Sequence, residues 1–224
     1  MELLFPAMAR RTKEDAALTR SRLLDAAQAV FFEKGVAGAS LADVALAASL
    51  SRGAIYWHFK GKADLFDAMM QRVTLPFEQA WEQELVLNTD GIAVLNGVTA
   101  VLQMVLRTVS EDARTRSVFD IALHKTECVG ELQAVRERRM LGEQRFTQEM
   151  GVVLALAAKQ AEVFLPIPPA SAARGLHAVF NGLLQSWLLQ DGRSFDLERE
   201  GGLAIHTYLN GLGFRFQKEI HQIT

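Results

Sequence analysis

Apolar positions recur at helical spacing along almost the whole chain. Leu23, Ala26, Ala27, Val30 and Phe31 fall at i, i+3, i+4, i+7 and i+8 and predict an amphipathic helix that Gly35 ends. Ser40 precedes a second apolar run, with Asp43 three residues on in the capping-box position, and Leu41, Val44 and Ala45 share one face. Ala42, Ala47 and Ala48 leave room for another helix to approach. Ser49-Leu50 then forms a turn, and Ser51 caps a short helix whose outward residues are Arg52, Gly53, Tyr56, Trp57 and His58. A fourth helix starts at Gly61-Lys62 and continues to Leu85, where Pro76 predicts a kink or a division. Beyond the break at Asn88-Thr89-Asp90-Gly91, helices are predicted over 92–110, 115–127, 129–162, 170–190 and 197–218, with Pro166, Pro168 and Pro169 in a loop. No alternating strand pattern or hairpin dipeptide interrupts them, so the fold class is all-α.

Two short helices joined by a tight turn, with small residues between them and no proline in either, have the pattern of a helix-turn-helix. In such a pair the second helix enters the major groove with its N-terminal turn against base edges. Arg52 sits at that end and suits paired hydrogen bonds to guanine. Gly53 lets the backbone come close, while Tyr56 and His58 reach toward phosphate oxygens. A helical hairpin inside another α-protein, with the aromatic residues as ordinary core, is the competing reading. Charge favours the first. The chain is formally −2, yet residues Ala9 to Lys62 hold nine Lys or Arg against five Asp or Glu, and the remainder from Ala63 holds fifteen against twenty. A basic head on an acidic body is the asymmetry expected when one end meets phosphates. Arg10-Arg11-Thr12-Lys13 forms a basic arm, and Lys60 and Lys62 stand where a helix N-terminus and ammonium charges together favour phosphate.

The segment from Ala9 to Met70, with ARRTKED, LLDAAQAVFFEKGVAGASLADVALAA and SRGAIYWHFKGKADLF, resembles the DNA-binding domain of TetR-family transcriptional repressors, in particular the multidrug-efflux repressors. EDARTR, LHKTE and GLLQSWLLQ carry weaker echoes of the same sub-family's ligand-binding domain. The resemblance implies a disordered extension over 1–8, a three-helix DNA-binding domain over 9–61, and a larger helical ligand-binding and dimerisation domain over 62–224. It implies contacts to double-stranded operator DNA from Arg10, Arg11, Ser40, Ser51, Arg52, Gly53, Tyr56, Trp57, His58, Lys60 and Lys62. It further implies a cavity for a hydrophobic or aromatic effector, for which the chosen positions are Val73, Phe77, Val98, Val101, Leu102, Val105, Phe119, Leu123, His177, Phe180 and Asn181. Each apolar one of these also reads as plain helix-bundle core. Asn181, a two-way hydrogen-bonding amide amid Val179, Phe180, Leu183 and Leu184, suits either a ligand's polar group or a neighbouring helix. The last two helices are more apolar than one small core absorbs, and the resemblance implies that Leu184, Trp187, Leu188, Tyr208 and Leu212 pack against a second copy in a homodimer.

Enzyme chemistry has little support. The five histidines are scattered, and no HExxH, CxxC, phosphate-binding glycine loop or GxSxG occurs. His124 and Cys128 share a helical face but lack further ligands, so neither a metal nor a cofactor is expected. The single cysteine suits a reducing compartment, no eighteen apolar residues run uninterrupted, and the N-terminus is apolar before it is basic, the reverse of a secretory signal. These features predict a cytoplasmic protein that does not enter a membrane. The expectation is a repressor of an efflux operon, released by an aromatic small molecule. Its competitors are a DNA-binding dimer without a ligand, a regulator of a non-efflux metabolic operon, and a helical enzyme or lipid carrier with an incidental hairpin.

Overall fold

The computed structural model describes residues 5–127, 130–190 and 195–215, and the side chains among them apart from those of 5–12 and 131. Among the described residues it contains nine α-helices, one 3-10 turn and no strand. The helices are α1 (Phe5–Gly38), α2 (Leu41–Ala47), α3 (Arg52–His58), α4 (Lys62–Leu87), α5 (Gly91–Glu111), α6 (Ala113–His124), α7 (Gln133–Gln160), α8 (Pro169–Leu189) and α9 (Leu197–Gly211), with the 3-10 turn at Gly130–Leu132 before α7.

They group into two compact units. One, the head, comprises Met1–Val73 and Ser117–Glu137; the other, the body, comprises Thr74–Arg116 and Arg138–Thr224. The expected division at residues 61 and 62 therefore does not match the packing. Leu65, Phe66, Met69 and Val73 of α4 are buried in the same core as Leu23, Ala27 and Phe31 of α1, Val44 of α2 and Ile55 of α3. Val118, Ile121, Leu132 and Val135 join that core from much later in the chain. Each boundary between the units falls inside a helix, at Val73 in α4, Arg116 in α6 and Glu137 in α7.

Local chemistry sets the ends of the head's helices. Ser40 and Asp43 form the expected capping box, the Asp43 N–H donating to Ser40 Oγ at 3.1 Å and the Ser40 N–H to Asp43 Oδ2 at 2.9 Å. The Ala54 N–H donates to Ser51 Oγ at 3.2 Å and opens α3. Gly35, at φ 70° and ψ 160°, breaks the helical geometry of α1 where the sequence places its end, and a short turn to Gly38 follows the kink. At its other end α1 departs from expectation and takes in Arg10 and Arg11, whose backbone is helical. Of the extension expected over 1–8, residues 1–4 lie outside the described residues and Phe5–Met8 form the start of α1. Pro76 does not divide α4, which passes through it as one helix of 26 residues. Helix α6 stops at His124, short of 127; Cys128 and Val129 lie outside the described residues.

In the body, α5 presents Val94, Leu95, Val98, Leu102 and Leu106 to the core, alongside Met150 and Leu154 of α7, Leu176 and Leu184 of α8 and Ile205 and Leu209 of α9. By length and composition α5 could cross a membrane; half of its most apolar stretch is buried inside the protein. Close approaches rest on glycine. A Cβ at Gly91 would stand 2.6 Å from the Ala157 backbone nitrogen, and one at Gly201 of α9 would overlap Leu106 of α5. Helices α8 and α9 are joined by the Tyr208 hydroxyl, which donates to the Ala172 carbonyl at 2.9 Å.

This packing removes four of the five residues chosen for the dimer interface from the surface. Leu184, Trp187, Leu188 and Leu212 are all buried within the single chain. Trp187, 3% exposed, donates its indole N–H to the Phe195 carbonyl at 2.9 Å and lies under the Arg116 guanidinium, 5.2 Å from the ring centre. Tyr208 is half-exposed, with its hydroxyl bonded to the Ala172 carbonyl. Helix α9 packs on both α8 and α5, and Leu189 and Leu203 stay exposed.

Two outcomes follow from these contacts. Leu184→Glu places a carboxylate in the core and should cost roughly 3–5 kcal/mol of folding stability, read as a lowered melting temperature by circular dichroism; an unchanged melt with a monomeric chain would return Leu184 to an interface. Asp43 is held at about 2, below the ordinary 3.8, chiefly by the hydrogen bond from Lys34 at 2.8 Å and then by Ser40. Its cap is fully present above the ordinary carboxylate value and is lost as pH falls through about 2. An NMR titration should find that midpoint, and Lys34→Met should raise it toward 3.8.

Candidate nucleic-acid interface and body site

The outward face of α3 forms a continuous polar and aromatic surface. Ser51, Arg52 and Gly53 are exposed at its N-terminal turn, and Tyr56 and Trp57 project one turn further, Trp57 with 73% of its surface open. A Cβ on Gly53 would meet only Ser51 Oγ, at 3.8 Å, so internal packing does not demand a glycine there. The position is exposed and open to an outside partner. Ile55 and the following Phe59 point the other way, fully buried in the head. His58 is half-buried, edge-on to Trp57 at 4.6 Å, and burial followed by the nearby Arg20 charge pushes its pKa down. At neutral pH it is a neutral hydrogen-bonding ring. Arg20, whose guanidinium stacks over Phe59 at 5.2 Å, was not among the expected residues.

Two of the expected DNA contacts are engaged elsewhere. The Ser40 hydroxyl donates to Asp43 Oδ2 at 2.6 Å while accepting the Asp43 N–H, so it serves the cap of α2. Lys62 is 8% exposed, and its ammonium donates to the carbonyls of Ala37 and Ala39 at 2.9 and 3.0 Å. It faces the protein, not a phosphate surface. Lys60 remains exposed; its backbone N–H donates to Asp64 Oδ2 at 2.9 Å ahead of α4. The side chains of Arg10 and Arg11 lie outside the described ones.

The residues expected around a ligand are divided between the units. Val73 is buried in the head core, Phe119 packs against that core, and Leu123 belongs to the same unit. In the body, Val98, Val101, Leu102, Val105 and Phe180 are buried, and Phe77 is half-buried. His177 and Asn181 are brought together one turn apart on α8, the Asn181 amide 2.9 Å from His177 Nε2. The amide nitrogen can only donate, so that ring nitrogen must carry no proton. Burial, partly opposed by the Glu143 charge, lowers the His177 pKa and keeps the ring neutral.

Sequence reasoning missed the companions of this pair. The Phe146 ring of α7 lies 5.0 Å from His177 and 5.3 Å from Trp81 of α4, and the Trp81 indole N–H donates to Glu149 Oε2 at 2.8 Å. Arg145 bonds Glu149 at 2.8 Å and Glu82 at 2.9 Å. The available signal was a lone aromatic residue within each of two charged runs, EQAWEQE and GEQRFTQE. An open groove of about 730 Å³ also runs along α7 and the start of α8, lined by Glu143, Thr147, Gly151, Ala155 and Arg174 among others, and includes none of the expected ligand residues. Among the described residues no group of His, Cys, Asp and Glu is arranged to hold a metal.

Comparison with known proteins defines the class. The model for bacterial regulatory proteins of the tetR family matches residues 23–69, and that for the C-terminal region of MAATS-type transcriptional repressors matches 94–214. The chain therefore belongs to the TetR family of transcriptional regulators, which are DNA-binding proteins and not enzymes. Among its relatives, the HTH-type transcriptional regulator TtgR of Pseudomonas putida is 33% identical over 81% of this chain and 86% of its own length. AcrR of Shigella flexneri is 34% identical over 86% and 88%. Of solved structures, NalD, the secondary repressor of the MexAB-OprM multidrug efflux pump in Pseudomonas aeruginosa, superposes with a TM-score of 0.78 at 31% identity, covering 88% of this chain and 98% of that one. The SmeT–triclosan complex gives 0.75 at 32% identity, covering 87% and 91%.

Arg52→Ala should weaken binding to the specific operator by about 1–3 kcal/mol and binding to random DNA by less. Fluorescence anisotropy with both duplexes measures the difference, and an equal loss on both would make Arg52 a phosphate contact.

Proposed function

We propose that this repressor binds a palindromic operator in the cytoplasm as a homodimer, controls a multidrug efflux operon, and leaves the DNA when a neutral aromatic molecule enters its body. The observation that carries the effector class is the row Trp81, Phe146, His177 and Asn181. Three rings lie in succession, and an amide bonded to a neutral imidazole ends the row. Aromatic rings offer faces to a planar molecule, while the amide and imidazole offer uncharged hydrogen bonds that fix its polar edge. Likeness to the SmeT–triclosan complex and to NalD supports the ligand class and the efflux target.

For the homodimer, the support moves from the buried residues to the opposite side of the last two helices. Ala178, Gly182, Gln185, Ser186 and Leu189 of α8 and Leu203, Thr207 and Asn210 of α9 are exposed. Apart from Gln185 these are short or apolar side chains, suited to close approach of two helices and a self-complementary contact. A two-fold pair of heads then reads two half-sites of one palindrome.

Triclosan, a chlorinated phenol, tests the reading on a labelled operator duplex selected from a random-sequence pool. It should release the wild type, and Asn181→Leu should need about five- to tenfold more of it, the worth of one hydrogen bond, with DNA affinity unchanged. Calorimetry showing no uptake of triclosan or related neutral phenols, beside normal operator binding, would leave a constitutive DNA-binding dimer.

A further inference from the structure

Residues 35–39 join α1 to the cap of α2, and several parts of the head converge on them. Gly35 adopts φ 70° and ψ 160°, which breaks helical hydrogen bonding and leaves backbone groups of the next turn without their usual partners. Those groups are taken up from outside α1. The Val36 N–H donates to the Lys125 carbonyl just after α6, at 2.9 Å. The Ala37 and Ala39 carbonyls both accept from Lys62, the first residue of α4, at 2.9 and 3.0 Å. Lys125 also holds its ammonium 4.5 Å over the Phe32 ring, one turn earlier on α1. At the far end of α2, Arg22 of α1 donates to the Ala48 carbonyl at 2.8 Å. Helix α2 is thus held by cations at both ends, Lys62 and Lys34 at its start and Arg22 at its close.

A lysine that neutralises a phosphate keeps its ammonium in water with the stem along the surface. Lys62 does the reverse, with its head group directed at two carbonyls and its side chain buried. We propose that Lys62 is a positioning residue for operator recognition: it clamps the 35–39 connector, and with it the α2–α3 pair, to the start of α4, while the Lys125 carbonyl fastens the same connector to the end of α6. Both α4 and α6 reach the reading helices through these five residues. The proposal rests on the operator-binding reading above and concerns how the head is held for it.

The test uses the full-length wild type, Lys62→Met, Lys62→Gln and Gly35→Ala, with anisotropy titrations on the selected duplex and on random DNA over a range of salt. Lys62→Met should lose about tenfold or more on the selected duplex and less on random DNA, with the slope of log affinity against log salt unchanged. Lys62→Gln has no charge but keeps two amide donors, and should recover part of that loss. Gly35→Ala puts a side chain at a left-handed φ and 3.4 Å from the Lys125 carbonyl, and should reproduce the loss of discrimination. A slope that falls by about one for both Met and Gln variants, with equal losses on the two DNAs, would make Lys62 a phosphate contact and overturn the clamp. If Lys62→Met does not fold by circular dichroism, the Gln and Gly35 variants decide in the same way. A wild type that cannot distinguish the two duplexes would instead sink the operator reading itself.

Discussion

Helices α2 and α3 are seven residues each, and helices of that length do not hold together alone in water. Everything the head presents to a ligand outside it therefore depends on burying one side of two marginal helices. Val44 and Ile55 supply that side, both fully buried, against a core built from α1, α4 and α6. Because the reading helices contribute little stability of their own, their orientation belongs to the elements that bury them. A change in α4 or α6 cannot be screened out by stiffness in α2 or α3, because they have none to spare.

That dependence explains why the packing boundary disagrees with the one drawn from sequence. The motif ends near Lys62, and the resemblance that carried it ended the domain there. The apolar face of α4 does not stop, however: Leu65, Phe66, Met69 and Val73 continue into the head core. The contribution of Val118, Ile121, Leu132 and Val135 was invisible for a different reason. A helical stripe records that a face is buried but not which part of the fold buries it, and these residues begin at Val118, 45 positions beyond Val73, the last head-facing residue of α4.

What was legible follows the same logic. Local chemistry was readable: the Ser40–Asp43 box, the Ser51 cap and the exposed Arg52–Trp57 face are all set by residues close to one another in the chain. Long-range partners were not. Lys62 carries the expected charge at the expected helix start, yet its ammonium is turned onto carbonyls 23 and 25 residues earlier. Trp187 and Leu184 were chosen for an interface because they are large and apolar, and that property equally suits the interior of the body, which buries both. In the body, the His177–Asn181 pair was found because it is local, and the rings of Trp81 and Phe146 were missed because they arrive from other helices.

The three tryptophans stand in three different surroundings. Trp57 is mostly open to water on the reading helix, Trp81 is half-buried in the ring row of the body, and Trp187 is enclosed with its N–H bonded to a carbonyl. Indole emission shifts with the polarity around the ring, so the chain carries its own set of optical probes without any label. Light from the reddest component comes from the surface of α3, the intermediate component belongs to the ring row, and the bluest comes from the enclosed ring on α8. Under the proposed function, operator binding, effector entry and unfolding would thus leave distinct marks in one spectrum.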